Sequence, residues 1–301
     1  MGVKARIQYI LARGILAVFT SMSRDMASRA GRIVAQIGYH LAGHQRSTAL
    51  HNLRMALPEL SEDERQQIVR GIFSNLGRLL VEFSQFPKLT PENVSERVEY
   101  EGLDNYLEGL RRGRGVLFLT AHVGAWELSS FAHCLYGYPM KFLTRPLDNP
   151  LVESLITGMR TLSGNRAIDR NGAAREVLKA LRNNETVGIL IDQNTIQSEG
   201  VFADFFGTPA ATTPALATFA IRTGAAVVPG FIRWDGQRER HVLSFEPPVE
   251  LKQTGNPQDD IVANTLMFNN ILERFVRRFP DQWLWIHKRW KTRPEGEPSL
   301  Y

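Results

Sequence analysis

Residues 120–127 read Thr120-Ala-His122-Val-Gly-Ala-Trp-Glu127, directly after the apolar run Val116-Leu-Phe-Leu119. A largely apolar stretch from Leu128 to Leu135 follows. The order predicts strand, tight turn and helix, with Gly124 in the turn. His122 then sits at the strand's carboxyl end and Glu127 in the first helical turn. In open α/β sheets, ligands bind just outside the carboxyl ends of strands. The bland alternative is a strand-end histidine bonded to backbone, beside a surface glutamate.

Working outward, apolar runs and helical patterns alternate. Strands are expected at 116–121, 140–144, 187–191, 226–232 and 241–246, and helices at 127–136, 150–163, 172–183, 213–223 and 259–279. Asn171 and Thr213 are expected N-caps, with Pro214 at a first helical position. This alternation predicts an α/β fold, a layered, mostly parallel sheet flanked by helices. Residues 24–56 and 61–84 read as further helices, the second opening on the capping box Ser61-Glu-Asp-Glu64. Pro87 to Pro91 mark a linker. The expected organisation is a helical region over 1–95 and an α/β domain over 96–301.

The chain has 301 residues, 43% of them hydrophobic, a net charge of +5 and one cysteine. A basic chain is suited to polyanions, whether nucleic acid, anionic lipid or an acidic protein. No nucleic-acid motif is present and the basic residues are spread out, so nucleic acid is not expected as a partner. Cys134 lies in an apolar helical stretch and reads as a buried, inert thiol. His40, His44 and His51 include an i,i+4 pair, but no Asp, Glu or Cys follows at a ligand spacing, so no metal site is expected.

Residues 4–20 have helical periodicity. Ile7, Ile10, Leu11, Ile15, Val18 and Phe19 share a face, with Arg6 and Arg13 opposite. The segment is too short and interrupted to span a bilayer easily, and Arg13 breaks any signal-peptide core. A basic amphipathic helix lying in a membrane interface is expected. Packing onto the protein core is the alternative.

A neutral imidazole can take a proton from a hydroxyl, and a nearby carboxylate can fix its tautomer. His122 and Glu127 are therefore candidates for a base and its orienting partner, in moving an acyl group onto an alcohol. Asp192 follows Val187-Gly-Ile-Leu-Ile191 and is a second strand-end carboxylate, or else an Asx-turn cap. Arg145, Arg160 and Arg170 suit phosphate binding or oxyanion stabilisation, or are surface arginines. The aromatic loop Phe202 and Phe205-Phe-Gly207 either packs in the core or lines an acyl tunnel. In Trp283-Leu-Trp-Ile-His-Lys-Arg-Trp-Lys291, aromatic and basic groups alternate as at a membrane interface. His287 in that tail reads as structural.

From residue 100 onward the chain resembles the bacterial lipid A late acyltransferases, within the wider His-x4-Asp/Glu glycerolipid acyltransferase group. The resemblance is carried by His122-x4-Glu127, Arg145-Pro-Leu-Asp-Asn-Pro-Leu151, Ile168-Asp-Arg170, Asp192-Gln193, Phe205-Phe-Gly207, Val227-Val-Pro229, Trp285-Ile-His-Lys-Arg-Trp-Lys-Thr-Arg-Pro-Glu-Gly296 and Pro298-Ser-Leu-Tyr301. The glycerol-phosphate branch carries Asp in place of Glu127 and a Phe-Pro-Glu-Gly motif, so the lipid A branch is the nearer one.

The resemblance implies a glycerolipid acyltransferase-like fold and transfer of a fatty acyl chain from a thioester to a hydroxyl of a lipid A precursor. His122 and Glu127 would be catalytic, with Arg145, Arg160, Arg170, Asp192 and Gln193 binding substrate. Acyl carrier protein is the implied donor, with acyl-CoA as the other choice, and an anionic glycolipid is the acceptor. It also implies a place at the cytoplasmic face of the inner membrane, peripheral or anchored at the amino terminus. No metal or cofactor is called for. The rivals are an acyltransferase acting on another glycolipid, a lysophospholipid or an aminolipid, and a non-catalytic lipid-binding protein of the same fold.

Overall fold

A computed structural model describes residues 2–169 and 172–301. The expected Asn171 N-cap and the Arg170 site residue lie outside the described residues. Four helices come first: α1 (Val3–Ser21), α2 (Arg24–Leu41), α3 (Gly43–Ala56) and α4 (Glu62–Ser84). The stretch 24–56 is thus two helices that part at Ala42, which puts His40 and His44 on separate elements. At α4 both bonds of the Ser61–Glu64 capping box form.

The α/β part contains β1 (Val98–Glu101), α5 (Leu103–Arg111), β2 (Val116–Thr120), α6 (Trp126–Leu135), β3 (Met140–Thr144), α7 (Pro150–Thr161), β4 (Arg166–Asp169), α8 (Ala173–Arg182) and β5 (Thr186–Leu190). There follow a hairpin of β6 (Val201–Phe205) and β7 (Thr208–Thr212), α9 (Ala215–Thr223), β8 (Ala226–Asp235), β9 (Arg240–Phe245) and α10 (Pro257–Arg278). Every strand and helix expected after residue 95 is present, with small shifts at the ends. β1, α5, β4 and the β6–β7 hairpin were not foreseen.

Among the described residues the main sheet has seven strands in the order β1-β9-β8-β2-β5-β3-β4. β8, β2, β5, β3 and β4 run parallel, and β9 turns back antiparallel to β8. The expected layered, mostly parallel sheet is therefore found. Because alternate strand residues face opposite ways, β2 feeds two cores. Leu117 and Leu119 join Val187 and Ile189 of β5 beneath α8, α9 and α10. Val116 and Phe118 pack with Leu128 and Phe131 of α6, under the apolar residues of α5 and α7. α3 and α4 close the first core through Leu53, Val69, Ile72 and Phe73.

β2 and β5 are central neighbours whose following segments leave on opposite faces. The chain runs from β2 into α6 over one core, and from β5 into the β6–β7 hairpin and α9 over the other. That divergence is a topological switch point, where a crevice opens at the strands' carboxyl ends. The strand register puts the crevice's chemistry together. Thr120 pairs with Leu190 across β2 and β5, so His122 and Asp192, each two residues further on, come face to face.

The amino-terminal helices leave much apolar surface uncovered. Ile7, Ile10, Leu11, Ile15 and Val18 of α1 are exposed, as are Ile33, Val34, Ile37 and Leu41 of α2. Phe19 departs from the face expected for it, being buried with Ala27 and Val81. α1 is tied down at both ends: Asn149 Nδ2, just before α7, donates to the Ala5 carbonyl at 2.9 Å, and Thr20 Oγ1 donates to the Ser84 carbonyl at 2.6 Å. No described helix is long and apolar enough to cross a membrane.

His133 of α6 is fully buried, its Nδ1 2.7 Å from the Tyr100 hydroxyl and its Nε2 without a hydrogen-bond partner among the described residues. Burial pushes its pKa down to about 3. Between pH 6.5 and about 3 the unfolded chain takes up this proton and the folded chain does not. Stability is therefore lost as pH falls through that window, with a slope of about 1.4 kcal/mol per pH unit for one proton. Urea unfolding between pH 7 and pH 4.5 should show this loss. His133→Phe should make the slope shallower by about one proton, and an unchanged slope would remove His133 from the account.

Candidate active site

The His122 turn is built by a close approach. Gly124 has φ +54°, and a Cβ there would lie 2.4 Å from the Ile232 carbonyl oxygen. Only glycine meets both conditions without strain. Gly124 N–H donates to the Gln282 carbonyl at 2.8 Å, and Val123 forms a β-bridge with Trp283. The turn is thereby pinned to the chain's tail.

Asp192 is buried and accepts three hydrogen bonds. His122 Nδ1 lies 2.8 Å from Oδ1, while the His122 backbone N–H and the Trp283 indole N–H reach Oδ2 at 3.0 and 2.8 Å. Burial alone would raise the Asp192 pKa. The charge and hydrogen bond of His122, with the Trp283 and backbone bonds, outweigh it and hold the carboxyl at about 2. An ionised carboxylate only accepts, so His122 carries its proton on Nδ1. In a neutral ring Nε2 is then a free acceptor. Gln193 Nε2, on an exposed side chain, donates to it at 3.2 Å. The Trp126 ring lies edge-on to the imidazole at 5.1 Å.

Glu127 is not the partner of His122. Both of its carboxylate oxygens are taken by Arg160 of α7, at 2.8 Å from Nε and 2.5 Å from Nη2. The reason is directional. Glu127 opens α6 after the turn, where its side chain meets the last turn of α7, while the space at Nδ1 is filled by Asp192, just past the end of β5. Burial works against the Arg160 charge, but the Glu127 bonds and charge more than offset it and raise the guanidinium pKa. The pair is a rigid bidentate fork.

His122, Glu127, Arg145, Arg160 and Gln193 all line one cavity of about 890 Å³, large enough for a sizeable ligand. Asp192 lies behind His122, and Arg145 is exposed at the rim. The remaining lining is largely apolar and comes from both faces of the sheet. Phe118, Met140 and Phe142 stand on one side, with Leu143, Ile189, Ala173 and Phe219 on the other. It can pass between faces because β3 and β5 stay paired only as far as Phe142 and Gly188.

One expectation is corrected and one open alternative is decided. Trp283, Trp285 and Trp290 are 1%, 0% and 0% exposed, so the tail's tryptophans are core and not a membrane belt. The aromatic loop is the tip of the β6–β7 hairpin. Phe205 and Phe206 are buried against Trp283, Trp290 and Trp285 and take no part in the cavity lining. One site residue was missed altogether: the Trp283 indole on Asp192. Its signal was a tryptophan in a motif already singled out, but a partner 91 residues away is not readable from spacing.

A cavity flanked by a strand-end imidazole, a buried carboxylate and an arginine fork defines a hydrolase- or transferase-type acid–base site. The family described as bacterial lipid A biosynthesis acyltransferase matches residues 4–292. The chain is 30% identical over 289 residues to the lipid A biosynthesis palmitoleoyltransferase of Escherichia coli (strain K12), covering 96% of this chain and 92% of that one. It is 29% identical over 293 residues to the myristoyltransferase of the same organism, covering 97% and 88%. A Haemophilus influenzae lipid A biosynthesis acyltransferase is 28% identical over 271 residues, covering 90% and 83%. The chain belongs to the bacterial lipid A biosynthesis acyltransferase family and is an acyltransferase.

Gly124→Ala should destabilise the fold by about 2 kcal/mol or more, since it combines a left-handed backbone with a backbone clash. Thermal unfolding checks this. A melting temperature within a degree of wild type would show that the turn has slack.

Proposed function

We propose that the protein transfers a fatty acyl chain from an acyl thioester to a hydroxyl of a lipid A precursor, with His122 as the general base. The observation that carries this reading is the state of His122. Its Nδ1 proton is held by the ionised Asp192, and its Nε2 accepts from the exposed, cavity-lining Gln193 amide, a partner that a substrate hydroxyl can displace. In the proposed reaction the acceptor hydroxyl displaces the Gln193 amide at Nε2. Its proton passes to Nε2 as its oxygen attacks the thioester carbonyl. The tetrahedral intermediate then collapses to the ester, the C–S bond breaks, and the imidazolium returns the proton to the departing sulfur. Asp192 stabilises the imidazolium between these steps.

Arg160, held by Glu127, keeps N–H groups free to face developing negative charge on the carbonyl oxygen, in a partly desolvated setting where such donors act strongly. Arg145 at the rim suits the acceptor's phosphates, and Arg170 is proposed for the same task from its place in the family motif. Acyl carrier protein is the proposed donor, and a net charge of +5 favours both an acidic donor and an anionic acceptor.

Mass spectrometry of lipid A from a host lacking its own late acyltransferases tests this. Wild-type protein should add one acyl chain. His122→Ala and Asp192→Asn should slow the addition by about two to four orders of magnitude, and Glu127→Ala, which frees Arg160, should also lose it. No gain from well-expressed wild type would redirect attention to other glycolipid, lysophospholipid or aminolipid acceptors. A gain that survives Glu127→Ala would detach the Glu127–Arg160 fork from the reaction.

The exposed apolar faces of α1 and α2 support a place at the membrane surface, where Lys4, Arg6 and Arg13 of α1 can meet anionic headgroups. We propose the cytoplasmic face of the inner membrane. Binding to vesicles containing anionic lipid should fall sharply in an Ile7→Asp, Leu11→Asp variant. Equal sedimentation of variant and wild type would end the α1 proposal.

A further inference from the structure

The tail from Trp283 to Thr292 runs beside the loop that follows β5 and is joined to it at several points. Besides the indole bond to Asp192, Asn194 N–H donates to His287 Nε2 at 3.0 Å. Asn194 Nδ2 donates to Thr292 Oγ1 at 3.0 Å, and Thr292 N–H donates back to Asn194 Oδ1 at 2.9 Å. The last two bonds are reciprocal, so the Asn194 amide is clasped at both ends. The tail is in turn anchored elsewhere. Asn52 Nδ2 of α3 donates to the carbonyls of Trp285 and His287 at 2.7 and 2.9 Å, and Tyr301 Oη donates to Asn52 Oδ1 at 2.6 Å.

These contacts have a direction. Among the described residues, Asp192 and Gln193 hydrogen-bond the His122 ring, one at each nitrogen. They stand immediately before Asn194, on a loop that has left the sheet, since β5 ends at Leu190. Nothing in the ladder fixes the loop's position beyond Ile191, whose N–H still reaches the Thr120 carbonyl at 3.3 Å. Further along, Thr195 N–H donates to the Ala211 carbonyl of β7 at 3.3 Å, and between these two points the tail holds the loop at Asn194.

We propose that His287 and Thr292 are positioning residues for acyl transfer: by holding Asn194 they set where Asp192 and Gln193 meet His122. This rests on the reading of His122 as the base. His287 acts here as an acceptor only, through an unprotonated Nε2. Its burial suits that role, pushing the ring's pKa down to about 4, so it stays neutral at ordinary pH.

The discriminating variants keep or remove the acceptor. Gln at 287 retains an acceptor oxygen and Ala does not, while Ser at 292 retains the hydroxyl and Val does not. In steady-state acyl transfer, His287→Ala and Thr292→Val should lower kcat by about tenfold to a hundredfold, with KM for the acyl thioester nearly unchanged. His287→Gln and Thr292→Ser should recover most of the loss. The double variant should cost less than the product of the two singles, because both act on one loop.

A second readout does not depend on catalysis. Hydrogen exchange at residues 192–195 should quicken in His287→Ala while β2 and β5 stay protected. Should His287→Ala fold poorly, Thr292→Val, at a partly exposed site, carries both readouts. The proposal is overturned if exchange at 192–195 is unchanged. It is also overturned if kcat per folded molecule matches wild type, or if Gln and Ala at 287 behave alike. Wild-type protein inert on acyl thioesters would count against the reaction assigned above, whereas unchanged exchange counts against the brace whatever the activity.

Discussion

Everything at this site depends on one hydrogen-bonded pair set up by strand register. Thr120 and Leu190 are paired across adjacent parallel strands, so the residues two steps beyond, His122 and Asp192, meet at 2.8 Å. A charge as deeply buried as Asp192 is costly unless its oxygens are bonded. Here three donors from two distant segments supply the bonds, and the carboxyl stays ionised. Remove that satisfaction and the imidazole loses both its tautomer and its orientation. The glycine turn, the tail's indole and the clasp on Asn194 are parts of the arrangement that keeps this pair in place.

The Glu127–Arg160 ion pair works differently. Glu127 and Arg160 are only partly exposed, at 15% and 23% of their side chains, and each is the other's bidentate partner. An exposed pair of this kind would contribute little. In a part-desolvated cavity wall the pair holds a guanidinium in one orientation, in the same cavity that His122 lines. The His-x4-Glu spacing thus joins two functions in a short run of chain. The histidine end belongs to the β2–β5 pair, and the glutamate end belongs to the packing of α6 against α7.

Much of the α/β part was legible because its strands are continuous apolar runs and its helices carry period and caps. Val116–Leu119 and Val187–Ile191 announced themselves, and so did the residues that end them. β1 (Val-Glu-Tyr-Glu) and β4 (Arg-Ala-Ile-Asp) did not, because edge-zone strands of four residues with charged positions carry almost no periodic signal. Which carboxylate faces His122 was illegible for a further reason. Neighbouring strands are decided by tertiary packing, and a glutamate five positions away is nearer in sequence than an aspartate seventy away. The tail misled through composition. Alternating tryptophan and lysine looks like a membrane belt, yet each of these tryptophans has a buried partner: Phe205, Phe206 or the Asp192 carboxylate. By contrast, most of the apolar face expected on residues 4–20 is exposed along α1, at Ile7, Ile10, Leu11, Ile15 and Val18.

The late position of the tail has a consequence for biosynthesis. His122 and the carboxylate on its Nδ1 lie at residues 122 and 192, whereas the indole and imidazole bonded to the carboxylate's loop lie at 283 and 287. Chains fold from the amino terminus as they are made. The exposed face of α1 is therefore available to a bilayer long before the residues that complete the site have been added. If the proposed roles hold, a nascent chain meeting a membrane through α1 would stay inert, by the order of its own sequence, until residues 283–292 had folded back onto the loop after β5.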